Sequence, residues 1–205
     1  MEEPENAEIE IQTYNFNTEN ETEIISPYMK ITNTGTGYIS IEDIKARYYY
    51  TSEADSPEEF ECYFAAKNVN EEDSGEDRGA GWEIINRHWK RGTHWRENRN
   101  FWGRHFNWWQ SHKSWWWDHK FWKRYYQTSD MIDNSDVNGS FVEMEEPAAG
   151  ADNYVEIGFD SGTGTLAPGD TLTVWFGLNK DDDSAYTQTN DYSFNPDAAG
   201  YVSWE

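Results

Sequence analysis

The chain has 205 residues, with 16 Lys and Arg against 39 Asp and Glu, a formal net charge of −23. That length suits one domain with a real core, and so acidic a surface disfavours nucleic acid phosphates and anionic membranes as partners. No apolar run approaches the roughly 20 residues that cross a bilayer, the start Met1-Glu-Glu-Pro-Glu5 lacks the basic and apolar regions of a signal peptide, and a lone Cys62 rules out an intrachain disulfide.

Along the chain the dominant period is two. Ala7, Ile9 and Ile11 alternate with Glu8 and Glu10; Tyr28 to Thr32 runs into a turn at Asn33-Thr-Gly-Thr-Gly37; Ile44 to Thr51 carries the triple Tyr48-Tyr49-Tyr50. Phe60 to Ala66 follows, and its Cys62 reads as a small buried hydrophobe rather than a nucleophile. Lys67 to Asp77 and Thr128 to Gly139 are predicted as exposed loop on either side of an insertion. Further strands are predicted at Ser140 to Met144, Tyr154 to Phe159, Thr171 to Phe176 and Tyr201 to Trp204, with a Pro-Gly turn at Leu166-Ala-Pro-Gly-Asp170. Eight or so short strands with no helices between them predict an all-β, antiparallel β-sandwich of jelly-roll type spanning residues 1–205, interrupted by the insertion 78–127.

The insertion differs in chemistry from its host. Trp82 to Tyr126 holds ten of twelve tryptophans and all five histidines, and Arg78 to Arg124 carries eleven Lys or Arg against three acids, a net of +8 that leaves −31 on the rest. A unit Trp-x-x-His-x-x-Trp recurs at Trp102/His105/Trp108, Trp109/His112/Trp115 and Trp116/His119/Trp122. On a helix these residues form one stripe, although Gly92 and Gly103 weaken it. Histidines seven apart stand about 10 Å from one another along a helix axis, too far to share one metal ion. Anion binding, folding back on the acidic host, and a supply of sugar-stacking rings all stay open. So does a shifted reading frame, since Trp codons read one base later begin with GG and encode glycine. No catalytic role is assigned to it.

Ser26-Pro-Tyr-Met-Lys-Ile-Thr-Asn-Thr-Gly35, Ile44-Lys-Ala-Arg-Tyr-Tyr-Tyr-Thr51, Cys62 eleven residues after Thr51, Leu166-Ala-Pro-Gly-Asp170 and Tyr186-Thr-Gln-Thr-Asn-Asp-Tyr-Ser-Phe194 stand in this order. Together, over residues 7–67 and 138–205, they resemble the family 3 carbohydrate-binding modules, nine-stranded β-sandwiches of cellulases and cellulosome scaffolds. The resemblance implies a structural calcium held through Thr51, Glu53, Thr187, Asn190 and Asp191, where the family usually has Asp in place of Glu53. Oxygen donors from two distant segments suit that hard cation.

The resemblance also implies a flat sugar-stacking strip, and here the pattern is altered. Tyr63 and Phe64 stand where Asp and His are expected, Gly177 at the Arg position and Asp183 at the Trp position, and the strip's Tyr falls within the insertion. On the opposite face Asn17 matches a polar anchor, while Glu19, Glu23 and Trp175 replace small or polar residues. Asn17, Tyr63 and Phe64 are therefore the candidate carbohydrate contacts. The family also continues beyond Tyr201–Trp204 with another strand, so either this sequence is a truncated piece or an edge strand is missing, which would leave a neighbour's backbone groups unpaired.

The function implied is a non-catalytic, extracellular module that targets cellulose or a related plant cell-wall β-glucan for an attached glycoside hydrolase or scaffold, with no nucleic acid or membrane partner. No Ser-His-Asp, Cys-His or paired-carboxylate constellation stands out against this. The alternative is an interaction or structural module on the same fold that has lost cellulose binding and contacts a peptide, linker or partner domain through Tyr48–Tyr50 or the insertion.

Overall fold

A computed structural model describes residues 6–15, 17–53, 56–69, 130–196 and 201–203. The insertion, its predicted stripe of Trp and His, and Trp204 lie outside the described residues. Apart from Val69, the described residues belong to one compact unit, Met1–Asn68 with Asp130–Glu205.

Fourteen strands are described: β1 (Ile9–Asn15), β2 (Glu21–Thr22), β3 (Ile24–Ile25), β4 (Pro27–Asn33), β5 (Ile39–Ser40), β6 (Ala46–Tyr50), β7 (Glu58–Lys67), β8 (Asp130–Met131), β9 (Val137–Ala148), β10 (Ala151–Phe159), β11 (Thr165–Leu166), β12 (Thr171–Lys180), β13 (Tyr186–Thr187) and β14 (Val202–Ser203). The larger sheet runs β14-β1-β4-β12-β7-β8 with β3 also on β12, the second is β6-β10-β9, and two small ribbons pair β11 with β5 and β13 with β2. All described pairings are antiparallel. The all-β sandwich expected from the period-two pattern is what the chain forms.

The period explains which side chains meet. Met29 and Ile31 of β4, Ala65 of β7, and Leu172, Val174, Phe176 and Leu178 of β12 point inward, against Ala46, Tyr48 and Tyr50 of β6 and Val155, Ile157 and Phe159 of β10. Pro27 opens β4, where a missing N–H is tolerated. In the β7–β12 pair, Trp175 faces Phe64 but Phe176 faces Cys62, so Tyr63 is an extra residue at a bulge.

Asn33 ties two predicted turns together. Wholly buried, it donates through Nδ2 to the carbonyls of Gly37 at 2.8 Å and Leu166 at 3.0 Å. Its own carbonyl accepts from Gly169 N–H at 2.8 Å. Gly169 takes φ +85°, a backbone state that glycine adopts without penalty.

One loop expectation needs correcting. From Asp130 onward the stretch predicted as exposed loop is ordered framework: Ala66 pairs with Met131 and Lys67 with Asp130, and Ile132 and Val137 are buried in the core. Two isolated apolar residues among polar ones give no periodic signal, yet each fills a core position. Cys62 is half-buried against the core, and burial pushes its thiol up to about 12, as suits a packing residue.

Candidate functional site

The outer face of the seven-stranded sheet carries a row of rings across four adjacent strands. Tyr14, Tyr28, Trp175 and Phe64 are mutual register partners on β1, β4, β12 and β7. Tyr14 and Tyr28 stack at 4.9 Å with planes 3° apart, and Tyr28 and Trp175 at 5.1 Å and 11°. Tyr201 meets Tyr14 edge-on at 4.9 Å, with Lys30 Nζ 4.7 Å from the Tyr201 ring. Trp175 Nε1 donates to Ser26 Oγ at 2.8 Å. Rings stacked this closely spend their faces on one another, and Tyr28, Trp175 and Phe64 are each buried, so the row offers no flat platform.

Tyr63 lies against Trp175, ring centres 5.0 Å apart, and folds over Gly177. A Cβ at residue 177 would collide with the Tyr63 hydroxyl and stand 2.7 Å from its Cζ. The Tyr63 ring thus fills the space that a side chain would take at residue 177, where the family resemblance leads one to expect Arg. Phe64 is buried and Tyr63 is half-buried, and burial raises the Tyr63 hydroxyl pKa above its usual value. Asp183 stands exposed at φ +56° in the turn after β12.

Trp175 and Tyr63 were expected on opposite faces, but they touch on one face. The register shift at the bulge puts them together, and counting residues cannot reveal it. Asn17 sits in the loop after β1, where Nδ2 donates to Thr22 Oγ1 at 2.8 Å and Oδ1 accepts from Glu19 N–H at 2.9 Å. Its amide thus orders its own loop.

A second constellation joins two distant segments. Thr51 N–H donates to Asp191 Oδ1 at 2.8 Å, Thr187 N–H to Glu53 Oε2 at 2.8 Å, and Asn190 Nδ2 to Glu53 Oε1 at 3.0 Å. The five residues that the family resemblance names as calcium ligands are therefore brought together. Glu53 reaches both partners from φ +61°, an uncommon state for a side-chain-bearing residue.

Sequence reading missed Asp152 and Lys180. Asp152 Oδ1 accepts from Ser52 N–H at 2.8 Å. Lys180 is wholly buried, with Nζ 3.3 Å from the Ala185 carbonyl and 4.0 Å from the centre of the Tyr186 ring. A Lys at the end of an apolar strand gives little hint in sequence that its ammonium turns inward.

Asp191 is the electrostatic focus. Burial pushes its carboxyl up to about 7; the Thr51 N–H opposes the rise, Glu53 and Asp152 add to it and Lys180 opposes it. Its Oδ2 is buried with no hydrogen-bond partner among the described residues. A buried acceptor left unpaired beside two further carboxylates suits a hard cation. Among the described residues no group of three His, Cys, Asp or Glu could hold a metal, so hydroxyl, amide or carbonyl oxygens would have to complete its shell. Close by, Glu58 accepts from the Tyr50 hydroxyl at 2.6 Å and the Tyr186 hydroxyl at 3.0 Å. That bond pair ties β6, β7 and β13 together.

Comparison with known proteins agrees with this architecture. A family model described as cellulose binding domain matches residues 10–77 and 106–205. Exoglucanase-2 of Thermoclostridium stercorarium is 30% identical over 194 residues, 95% of this chain and 14% of that protein. Anti-sigma-I factor RsgI4 of Acetivibrio thermocellus is 26% identical over 197 residues, 96% of this chain and 25% of that protein. The chain thus spans a quarter or less of these two relatives. Among solved structures, the family 3a carbohydrate binding module from the cipA scaffolding of Clostridium thermocellum superposes with a TM-score of 0.63 at 28% identity, covering 96% of this chain and 91% of that one.

Proposed function

The chain belongs to the cellulose binding domain family, the family 3 carbohydrate-binding modules, and from that premise we propose that it is a non-catalytic module targeting cellulose or a related plant cell-wall β-glucan. The observation that carries the reading is the match of the cellulose binding domain model to residues 10–77 and 106–205, with half-exposed rings at Tyr14 and Tyr63 on the seven-stranded sheet as the groups a sugar could touch. Tyr63 lies half-exposed beside the ring row, Phe64 is buried within it, and Asn17 orders the neighbouring loop. Apolar ring contact with a few hydrogen bonds is enough to hold a neutral polysaccharide, and no bond in the ligand need be broken.

The module would hold an attached hydrolase or scaffold at the polymer outside the cell. Among the described residues no helix is long and apolar enough to cross a membrane. One calcium would be held at Asp191 with oxygens from Thr51, Glu53, Thr187 and Asn190, and its charge would satisfy the orphaned Asp191 Oδ2.

A competing reading draws on Gly177, Asp183 and the stacked, largely buried rings: an interaction module that has given up cellulose and contacts a peptide, linker or partner domain. A pull-down on microcrystalline cellulose separates the two. Depletion of the chain from solution supports the first reading; full retention in the supernatant at high cellulose loading rejects it in favour of the second.

A further inference from the structure

Among the described residues Lys180 and Asp191 are the only charged side chains that are buried, the first completely and the second at 7% exposure. They have opposite signs. Lys180 ends β12, where its register partner on β7 is Glu58, and residues directly opposite across an antiparallel pair send their side chains to the same face. Glu58 accepts from the Tyr50 and Tyr186 hydroxyls. The ammonium is left with the Ala185 carbonyl at 3.3 Å and the face of the Tyr186 ring at 4.0 Å, and it takes no part in the ion pairs among the described residues.

A buried ammonium with three N–H groups and one oxygen acceptor needs negative charge around it. The clamp supplies that charge. From Ala185 the chain passes through Tyr186 to Thr187, whose N–H holds Glu53 at 2.8 Å, while the Thr51 and Ser52 N–H groups hold Asp191 and Asp152 at 2.8 Å each. These charges feel one another: burial, Glu53 and Asp152 hold the Asp191 carboxyl up, and Lys180 draws it down. Burial and Glu58 raise the Tyr186 hydroxyl and Asp191 adds to the rise, so the Asp191 field reaches the ring on which the ammonium rests.

We propose that Lys180 is the internal counter-charge of the cation clamp, a fixed ammonium that cancels one of three carboxylate charges and so sets how tightly the clamp holds an ion and which ion it prefers. This role rests on calcium being held at Asp191. Lys180 is a positioning residue rather than a ligand: its charge draws the carboxylates together and repels an ion that arrives. Repulsion grows in proportion to the ion's charge, so Lys180 opposes a trivalent ion more than a divalent one. Salt screens a buried charge much less than an exposed one, so the effect persists at ordinary ionic strength.

The test is calorimetric titration of the full chain with calcium and, separately, with terbium(III). It compares the unaltered protein with Lys180→Met, which keeps an apolar stem, and Lys180→Gln, which keeps a donor for the Ala185 carbonyl. The expected result is calcium binding about tenfold tighter in both variants and terbium binding about thirtyfold tighter, the ratio that charges of two and three dictate. With a chelator present, both variants should melt below the unaltered chain. Affinity and metal-free stability thus move in opposite directions, which a purely structural lysine would not produce. Unchanged or weaker calcium binding overturns the proposal and leaves Lys180 as the partner of Glu58 alone; equal gains for the two ions overturn it as well. So does failure of both variants to fold in saturating calcium, since the ion should replace the lost charge. No calcium binding by the unaltered chain, or binding that survives Asp191→Asn, rejects the calcium reading itself and this role with it.

Discussion

Replacing Asp191 by Asn probes the cation clamp through pH. In the folded chain this carboxyl titrates at about 7 against an ordinary 3.8. A folded-state pKa that is raised means that the folded chain holds the proton more tightly, so the group's contribution is complete below about pH 4 and is lost as pH climbs through about 7. Each unit of difference is worth about 1.4 kcal/mol, which bounds the loss at about 4 kcal/mol. Partial screening by water that reaches the clamp through its exposed members, such as Glu53 and Asn190, brings the expected loss to roughly 1–2 kcal/mol.

For a chain of this size that is about 2–8 °C in melting temperature. Asn at 191 keeps an acceptor for the Thr51 N–H and removes the charge. The assay is thermal unfolding with a chelator present, from about pH 5 to about pH 8. The melting temperature of the unaltered chain should fall relative to that of Asp191→Asn over this range. Calcium at about a hundred times its dissociation constant should restore about 2.7 kcal/mol above neutral pH in the unaltered chain and much less in the variant. Parallel pH profiles for the two proteins would refute the assignment of Asp191 as the buried acid. Equal calcium stabilisation of both would place any cation elsewhere.

Three further substitutions test the packing that shapes the sites. Gly177→Ala drives a methyl into the Tyr63 ring and should destabilise by about 1–3 kcal/mol in urea unfolding, with recovery when Tyr63→Ser is added; no loss in the single variant would mean that the ring does not lie over residue 177. Trp175→Ala should lower stability by about 3–5 kcal/mol, and a loss under about 1 kcal/mol would show that the ring row is not packed. Glu58→Ala strips the acceptor from two tyrosyl hydroxyls and should destabilise by roughly 2–4 kcal/mol, an effect that Tyr50→Phe with Tyr186→Phe largely relieves if the unpaired hydroxyls are its cause.

The sandwich was legible because its inward residues alternate: Met29 and Ile31, Tyr48 and Tyr50, Val155 and Ile157 each mark a core face that a one-residue slip would destroy. Of the seven two-residue strands only β14 was legible, within Tyr201 to Trp204; β2, β3, β5, β8, β11 and β13 were not, since two residues show no period. In β12 seven consecutive residues are buried, so alternation could not tell which way Trp175 points. The ring row depends on pairing between strands far apart in sequence and on the bulge at Tyr63, neither of which leaves a local trace. The clamp was reached through family likeness, whereas Asp152 and Lys180 joined it only through the fold.

The pairing of Lys67 with Asp130 and of Ala66 with Met131 has a topological consequence. The chain positions on either side of the tryptophan-rich segment are hydrogen-bonded neighbours, as if a hairpin had been cut at its tip. Closing a longer excursion between two points already held together adds only about 0.6 kcal/mol for each doubling of its length. In loop-closure terms the framework is thus nearly indifferent to the length threaded there, and a short turn could join the same two strand ends.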